Sequence, residues 1–127
     1  MARAEYQRVV KIASGQSLSA EINVAGLQLT AIQMPATWTT ANLTFQGALD
    51  GAEGANGASS GATFQDLYDG AGGELTITTG QAHTIVKIAS NDIDGLRWLK
   101  VRSGTGAAAV NQTADRYILL AFTDMPL

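Results

Sequence analysis

Apolar and polar residues alternate in several short stretches of the chain, and alternation with a period of two is typical of half-buried β-strands. The clearest pair flanks a proline–tryptophan corner: residues 27–31 alternate before Pro35, and residues 40–46 alternate after Trp38. Because Pro35 lacks a backbone N–H and has a fixed φ, the first strand of the pair must end there or lie at a sheet edge. We therefore predict two core-forming strands joined by a corner.

Further strands are predicted where similar runs are bounded by turn residues. They cover residues 8–13, 18–24, 74–78, 83–89, 96–103 and 117–122, while residues 63–68 are a short strand or an irregular bridge. Since no helical periodicity is visible, this series of about eight short strands predicts an all-β fold, an antiparallel β-sandwich of jelly-roll type. Its expected core includes Leu29, Leu43, Phe45, Leu75, Ile77, Leu99, Val101, Leu119 and Phe122.

Two segments lack apolar anchors. Residues 1–7 are polar without periodicity, and we predict that they form an N-terminal arm. Residues 47–62, GALDGAEGANGASSGA, are predicted to form a long exposed loop or hairpin tip that is mobile or ordered by a neighbouring subunit. At 127 residues, the chain (1–127) is expected to fold as a single domain.

Composition and charge narrow the function classes. The net charge is −3 and only 15% of residues are charged, which is unlike the basic footprint of a nucleic-acid-binding protein. The N-terminal apolar run, residues 9–12, is short and interrupted by Lys11, so we expect neither a signal peptide nor a membrane contact. The chain has no cysteine, which excludes disulfides and thiolate ligands and fits synthesis in a reducing cytoplasm.

Groups that could carry out catalysis or bind a metal are sparse. His83 is the only histidine, and a catalytic triad or a zinc site would need partners for it that the sequence does not offer. Carboxylates could hydrolyse a glycoside if two of them faced each other, but turn and cap roles are commoner for such residues. Residues 91–95, NDIDG, resemble a calcium loop without its full spacing or closing glutamate. We therefore expect no enzymatic activity, no catalytic residue, no cofactor and no metal.

Aromatic and basic side chains each allow a structural and a functional interpretation. Four flat rings that could stack on sugars are Trp38, Trp98, Tyr68 and Tyr117. With so few aromatics, packing in the core and at corners is the first expectation. Lys100 and Arg102 alternate on one strand face, which we interpret as solvated or, in an oligomer, as paired with a neighbour's carboxylates.

A set of short motifs resembles one small family. The motifs are Ile32-x-Met34-Pro35, WTTANLTF at 38–45, Asp50-Gly51, TFQDLYD at 63–69, LKVRSGT at 99–105, Asn111-Gln112 and Asp115-Arg116. Over roughly residues 18–122 the chain resembles small β-sandwich virion structural proteins of tailed bacteriophages and prophages, of the head decoration or cement type. The order of segments is also similar to galactose-binding-like jelly rolls, which include carbohydrate-binding modules. Residues 52–62 look like an insertion relative to the phage family.

The resemblance implies a non-enzymatic capsid decoration or cement protein that stabilises the head. Such a protein is made in the host cytoplasm and lies on the capsid surface of the virion. Its expected partners are the major capsid protein and neighbouring copies of itself in a homo-oligomer, without nucleic acid or membrane. The alternative is a carbohydrate-binding adsorption module on the head or tail, with a glycan as ligand. The candidate partner contacts lie in the arm and the loop: Arg3, Tyr6, Arg8, Asn56 and Ser59.

Overall fold

The computed structural model describes residues 5–78, 81–88 and 92–125, which form ten β-strands and one 3₁₀ turn. The strands are β1 (Glu5–Ile12), β2 (Ile22–Asn23), β3 (Leu27–Gln33), β4 (Leu43–Ala48), β5 (Ala52–Glu53), β6 (Ser59–Ser60), β7 (Gln65–Asp66), β8 (Ile85–Lys87), β9 (Trp98–Ser103) and β10 (Arg116–Asp124). The 3₁₀ turn, Ala55–Gly57, connects β5 and β6.

Eight of these strands form two four-stranded antiparallel sheets. The front sheet has the order β1-β10-β3-β8, and the back sheet has the order β2-β9-β4-β7. The pairs β1–β10, β2–β9, β3–β8 and β4–β7 are nested along the chain, as in one long hairpin that has been rolled up. This is the jelly-roll arrangement, so the predicted all-β antiparallel sandwich is confirmed. The strands β5 and β6 form a separate hairpin, which raises the count to ten.

The two sheets bury their inner faces against each other because successive residues of a strand point to opposite sides. In β1, for example, Val10 and Ile12 are buried, whereas Val9 and Lys11 are exposed. Six of the predicted core residues are fully enclosed between the sheets: Leu29, Leu43, Phe45, Leu99, Val101 and Phe122. Leu75 and Ile77 pack against this core but are only partly buried.

The prediction that Leu119 belongs to the core is wrong. Leu119 pairs with Val9 on the outer face of the front sheet, while Ile118 and Leu120 point inwards and are buried. Successive residues of β10 are apolar, so its sequence does not determine which set faces the core. Its register against β1 makes that choice, because a shift of one residue would turn every side chain to the other face.

The predicted N-terminal arm is partly a strand. Residues 5–7 are the first part of β1 and pair with residues 121–123 of β10, so for them the arm prediction is wrong. Their polar side chains are compatible with a strand because β1 is an edge strand with one solvent-facing side. Arg3 lies outside the described residues.

The predicted loop at 47–62 begins two residues later than expected. Gly47 and Ala48 are the buried end of β4, and a Cβ on Gly47 would come within 2.8 Å of the Leu96 side chain. The remainder is largely exposed, as predicted, but most of it forms the β5–β6 hairpin. Whether this hairpin is mobile or contacts a neighbouring subunit stays a prediction.

Contacts with the rest of the chain hold the β5–β6 hairpin in place. At its base the backbone N–H of Thr63 donates to Asp50 Oδ1 at 2.7 Å. Further along, the backbone N–H of Ser59 donates to Glu21 Oε2 at 3.1 Å. The hydrogen bonds from Ser59 lower the pKa of the Glu21 carboxyl, which therefore stays ionised as an acceptor for the hairpin.

Several predicted strands are shorter than expected. Regular pairing covers only Ile22–Asn23 of the predicted 18–24, Gln65–Asp66 of 63–68 and Ile85–Lys87 of 83–89. The predicted strand at 74–78 contributes isolated bridges at Glu74 and Ile77. Irregular backbone is thus concentrated at edges of both sheets, next to β2 and β7 in the back sheet and β8 in the front sheet.

Candidate protein-binding surface

The outer face of the front sheet carries large apolar side chains that are exposed to water. Val9, Tyr117 and Ile85 are 57%, 56% and 65% exposed. Val9 pairs with Leu119, Leu119 with Gln33, and Gln33 with Ile85, so these residues form one row across all four strands. We call this surface the front face; it comprises Gln7, Val9, Lys11, Ala31, Gln33, Ile85, Lys87, Tyr117, Leu119 and Ala121.

A β-bulge in β3 determines which of its residues lie on the front face. Ala31 pairs with Ala121, but Phe122 pairs with Leu29, so Thr30 is the extra residue. The Thr30 hydroxyl donates to the Ala121 carbonyl at 3.2 Å. Because of the bulge, Ala31 lies on the front face although Leu29 is buried in the core. The simple alternation in the sequence had placed Leu29 and Ala31 on the same face.

One corner of the front face combines an aromatic ring with an ion pair. Lys11 Nζ lies 3.5 Å from Asp115 Oδ2 and 6.0 Å from the centre of the Tyr117 ring. The Ser14 backbone N–H donates to Asp115 and, together with Lys11, lowers the pKa of the Asp115 carboxyl. Both members of the ion pair are about half exposed, and such pairs contribute little to stability. The two charges can therefore be re-paired with a partner at small cost.

Tyr6 and Arg8, two of the predicted contacts, lie away from the front face. Because side chains alternate along a strand, Tyr6 and Arg8 point to the same side of β1 as the buried Val10, which is the inner side of the front sheet. A hydrogen bond with Asp124 is the main cause of the raised pKa of the Tyr6 hydroxyl, and the Arg8 guanidinium lies 5.9 Å from the Tyr6 ring centre. The two side chains border a groove whose other wall includes Glu21, Glu53 and Gly57.

Asn56 and Ser59, the remaining described candidates, lie on the β5–β6 hairpin that borders the same groove. Asn56 is exposed in the 3₁₀ turn with a φ of 59°, a left-handed conformation that Asn tolerates better than most residues. Ser59 is partly buried and its hydrogen-bonding groups are directed to Glu21. The structure therefore brings the predicted contacts of the first strand and of the hairpin to one side of the molecule.

Arg102 is not solvated, contrary to the interpretation of its strand face. Its side chain is only 7% exposed, and its guanidinium donates to Asp66 at 2.8 Å and to Glu74 at 2.6 Å. The bond from Arg102 lowers the pKa of the Asp66 carboxyl, and Arg102 Nε donates to the Thr44 hydroxyl at 2.9 Å. The backbone approaches the cluster closely at Gly106, whose N–H donates to Glu74 Oε2 at 2.9 Å and where a Cβ would come within 2.5 Å of Asp66 Oδ2. Its carboxylates are engaged by the chain itself, so we assign it a structural role.

Lys100 is also covered, because its ammonium group lies 4.2 Å from the centre of the Phe64 ring. An ammonium group over an aromatic face is attracted by the ring quadrupole. Phe64 follows the β5–β6 hairpin, so the segment after the hairpin folds over the outer side of β9.

Four of the motifs that carry the phage resemblance meet in one polar network. The Gln112 side chain is 1% exposed and bridges the corner after Trp38 to the end of β9. Its Nε2 donates to the Thr39 carbonyl at 3.0 Å and to the Ser103 hydroxyl at 2.7 Å. Its Oε1 accepts the Thr39 backbone N–H at 2.9 Å and Arg116 Nε at 3.1 Å. These motif residues thus position the corner rather than a ligand.

His83 and the calcium-like segment are the remaining groups that were considered for catalysis or metal binding. His83 is exposed at the start of the strand region with a φ of 61°, and its backbone N–H donates to the Pro35 carbonyl. Within the described ranges, no group of three or more His, Cys, Asp or Glu side chains is arranged to hold a metal ion. Of the calcium-like residues 91–95, Asn91 lies outside the described residues, and burial raises the pKa of the Asp94 carboxyl. No helix in the described part of the chain is long and apolar enough to cross a membrane.

The four aromatic side chains considered for stacking on sugars divide into a buried pair and an exposed pair. Trp38 and Trp98 are 7% and 0% exposed, so the packing interpretation is confirmed for both. The Trp38 indole N–H donates to the Ala41 carbonyl at 3.2 Å and closes the corner. Tyr68 and Tyr117 are exposed, and of these Tyr117 belongs to the front face.

Comparisons of the chain with protein-family models, curated proteins and solved structures gave no match. The front face therefore has to be interpreted from its own geometry. Sequence reasoning missed it, although a signal exists in three apolar doublets: Val9-Val10, Ile85-Val86 and Tyr117-Ile118. In a strand, such a doublet places one apolar side chain on each face, so the outward member is exposed unless something covers it.

Proposed function

We propose that this chain is a non-enzymatic bacteriophage virion protein that decorates the capsid, stabilises the head and binds the major capsid protein through the front face. The observation that carries the proposal is the set of exposed apolar side chains, Val9, Ile85 and Tyr117, on one face of a four-stranded sheet. Contiguous apolar surface on a folded domain is typical of protein-binding sites. The family resemblance of the motifs supplies the virion as the setting.

The shape and chemistry of the front face favour a broad protein surface as partner. It is an open sheet face, and its apolar centre is flanked by two lysines, Lys11 and Lys87. An apolar centre with a polar rim is the usual anatomy of a protein interface. One small domain offers limited area, so repeated contacts by many copies would supply the avidity that stabilises a lattice.

The direct test compares two exposed apolar positions. Ile85→Asp introduces a charge in the front face, whereas Leu49→Asp does so at a side chain that is 75% exposed and lies outside it. We expect Ile85→Asp to weaken binding to particles that lack the protein by about tenfold or more, because burying an isoleucine side chain contributes about 1.5 to 3 kcal/mol. Leu49→Asp should bind like the unmodified chain, and both variants should keep their melting temperature.

Co-sedimentation of the purified variants with such particles measures this binding, and the heat resistance of the decorated particles measures the stabilisation. Equal binding by both variants would exclude the front face as the contact surface. Particles that resist heat equally well without the protein would exclude the cement role.

A carbohydrate-binding adsorption module is the second candidate, and Tyr117 is the observation that favours it. Its exposed ring lies beside the Lys11–Asp115 ion pair, which provides hydrogen-bond donors and acceptors next to a stacking surface. A glycan array tests this candidate: specific binding that is lost in Tyr117→Ala, together with particles of normal heat resistance, would replace the capsid proposal.

A further inference from the structure

The four outer edges of the two sheets differ greatly in length. β8 has three residues, and β2 and β7 have two each, whereas β1 has eight. Short edge strands are a common protection against unwanted strand pairing. β1 also lacks proline, and its register with β10 continues without a bulge from Glu5 to Ile12. Among the described strands, β1 is therefore the edge best suited to receive another strand.

We propose that β1 pairs with β1 of a second copy of this chain, antiparallel and about a two-fold axis at Val9, so that the two front sheets become one eight-stranded sheet. The proposal deepens the proposed function by naming the contact between neighbouring copies. It rests on that function only for its biological setting, because the pairing can be measured on the isolated protein.

Symmetry restricts the possible registers. A two-fold axis perpendicular to the sheet keeps each side chain on its own face, so one residue must lie on the axis opposite its own copy. With at least seven residues of β1 paired on each strand, the axis passes through Arg8 or Val9. An axis at Arg8 places Lys11 opposite Glu5 of the second chain, which is favourable. It also places two guanidinium groups directly opposite each other, which is destabilising, and it leaves the apolar Val9 opposite Gln7.

An axis at Val9 moves the two Arg8 side chains from directly opposite to diagonal positions, where their repulsion is weaker, and it pairs apolar surface with apolar surface. The half-exposed Val9 side chain then packs against its own copy, and Lys11 lies opposite Gln7 of the second chain. Glu5 becomes a diagonal neighbour of Lys11 in the second chain, a distance of about 7 to 8 Å that long side chains can bridge. The direct contact between the two exposed Val9 side chains, which an axis at Arg8 does not provide, therefore favours the axis at Val9.

The pairing also extends the front face. The row that contains Val9, Leu119 and Ile85 is repeated in the second copy, and the two rows meet at Val9. A single strand pair buries less than the roughly 1,200 Å² of a typical stable complex. We therefore expect a dimer that dissociates on dilution and is reinforced when both copies bind one lattice.

Site-specific cross-linking tests the register, because the natural chain contains no cysteine. In the proposed register Val9→Cys places two thiols on the axis, with Cβ atoms about 4.5 to 5.5 Å apart, close enough to form a disulfide after small adjustments. The matched control is Gln7→Cys, also exposed on the front face of β1, whose two copies would be displaced by four residues, or about 13 Å, along the strands.

Under mild oxidation we expect a covalent dimer of Val9→Cys and a chain that remains monomeric for Gln7→Cys. In sedimentation velocity experiments with the cysteine-free chain, Val9→Glu should raise the dimer Kd by about tenfold, whereas Ile85→Glu on the opposite edge should leave it unchanged. The two cysteine variants are also mixed. If the Gln7→Cys chain cross-links to the Val9→Cys chain more readily than Val9→Cys cross-links to itself, the proposed register is wrong. A chain that is monomeric at all concentrations and does not cross-link would overturn the pairing, with or without capsid binding.

Discussion

Gln112 shows how a single side chain can fix the geometry of a jelly-roll corner. All four of its hydrogen-bonding contacts are made to the corner, to β9 and to Arg116, and none is left to water. Removing a buried amide of this kind costs stability, because the buried donors and acceptors that it bonds are left without partners. The neighbouring Asn111 belongs to the same sequence motif but is exposed.

Replacing Gln112 should therefore destabilise the fold strongly. Gln112→Leu leaves the Thr39 N–H and Arg116 Nε without their acceptor, and we expect a loss of about 2 to 4 kcal/mol in the free energy of unfolding. Asn111→Leu is the matched control and should change stability by less than about 0.5 kcal/mol. Urea denaturation of both variants measures the difference, and similar stabilities would show that the network does not hold the corner.

Arg102 illustrates what a strand pattern cannot show at the scale of one residue. Alternation placed Lys100 and Arg102 together on the outer side of β9, and the structure agrees with this shared face. The burial of that face depends on Phe64 and on Glu74, which lie far away in the sequence. The face on which a side chain lies follows from the local sequence, whereas the burial of that face depends on distant residues. The shared face was therefore predictable, and the prediction that it is solvated was wrong.

At the scale of elements, the strands around the corner were predictable because their alternation is clear and their ends carry turn residues. β3 and β4 lie close to the predicted ranges, and their inward residues Leu29, Leu43 and Phe45 are in the core. The position of β10 was predicted correctly, but Leu119 was assigned to the inner face and lies on the outer one. Both faces of β10 are apolar, so its sequence does not distinguish them. The front face has the same ambiguity, because its exposed residues Val9 and Ile85 are of types that also form the core.

The β5–β6 hairpin is an element that the domain should tolerate losing. Its two ends approach closely, because a Cβ on Gly51 would lie 2.8 Å from the Cα of Ala62. Deletion of residues 53–61 removes the contact with Glu21, which then becomes hydrated, and shortens the loop that must be closed. We expect the unfolding free energy to fall by less than about 1 kcal/mol.

Thermal denaturation followed by circular dichroism measures the effect of this deletion. Gly104→Ala provides the comparison, since Gly104 has a φ of 89° and a Cβ there would lie 2.5 Å from the Ala108 carbonyl oxygen. That variant should be clearly less stable than the deletion. A deletion variant that fails to fold would show that the hairpin is part of the core.

At the scale of the whole molecule, the jelly roll joins the two ends of the described chain. Glu5 pairs with Thr123, and β10 lies between β1 and β3 in the front sheet. Every sheet contact between β1 and β10 must therefore close a loop that contains nearly all of the protein. Such non-local topologies fold slowly, because the entropy of loop closure is lost before the contacts are gained.

We accordingly expect the isolated chain to refold on the order of milliseconds to seconds, rather than in the microseconds typical of helical bundles. Trp38 and Trp98 are both buried, so their fluorescence reports on core formation in a stopped-flow experiment. Leu120→Ala removes a fully buried contact of the central strand and should reduce stability by about 2 to 5 kcal/mol. If β10 docks late, that variant should unfold faster while refolding at an almost unchanged rate; a proportionate loss in the refolding rate would place the closure of the two chain ends in the folding nucleus.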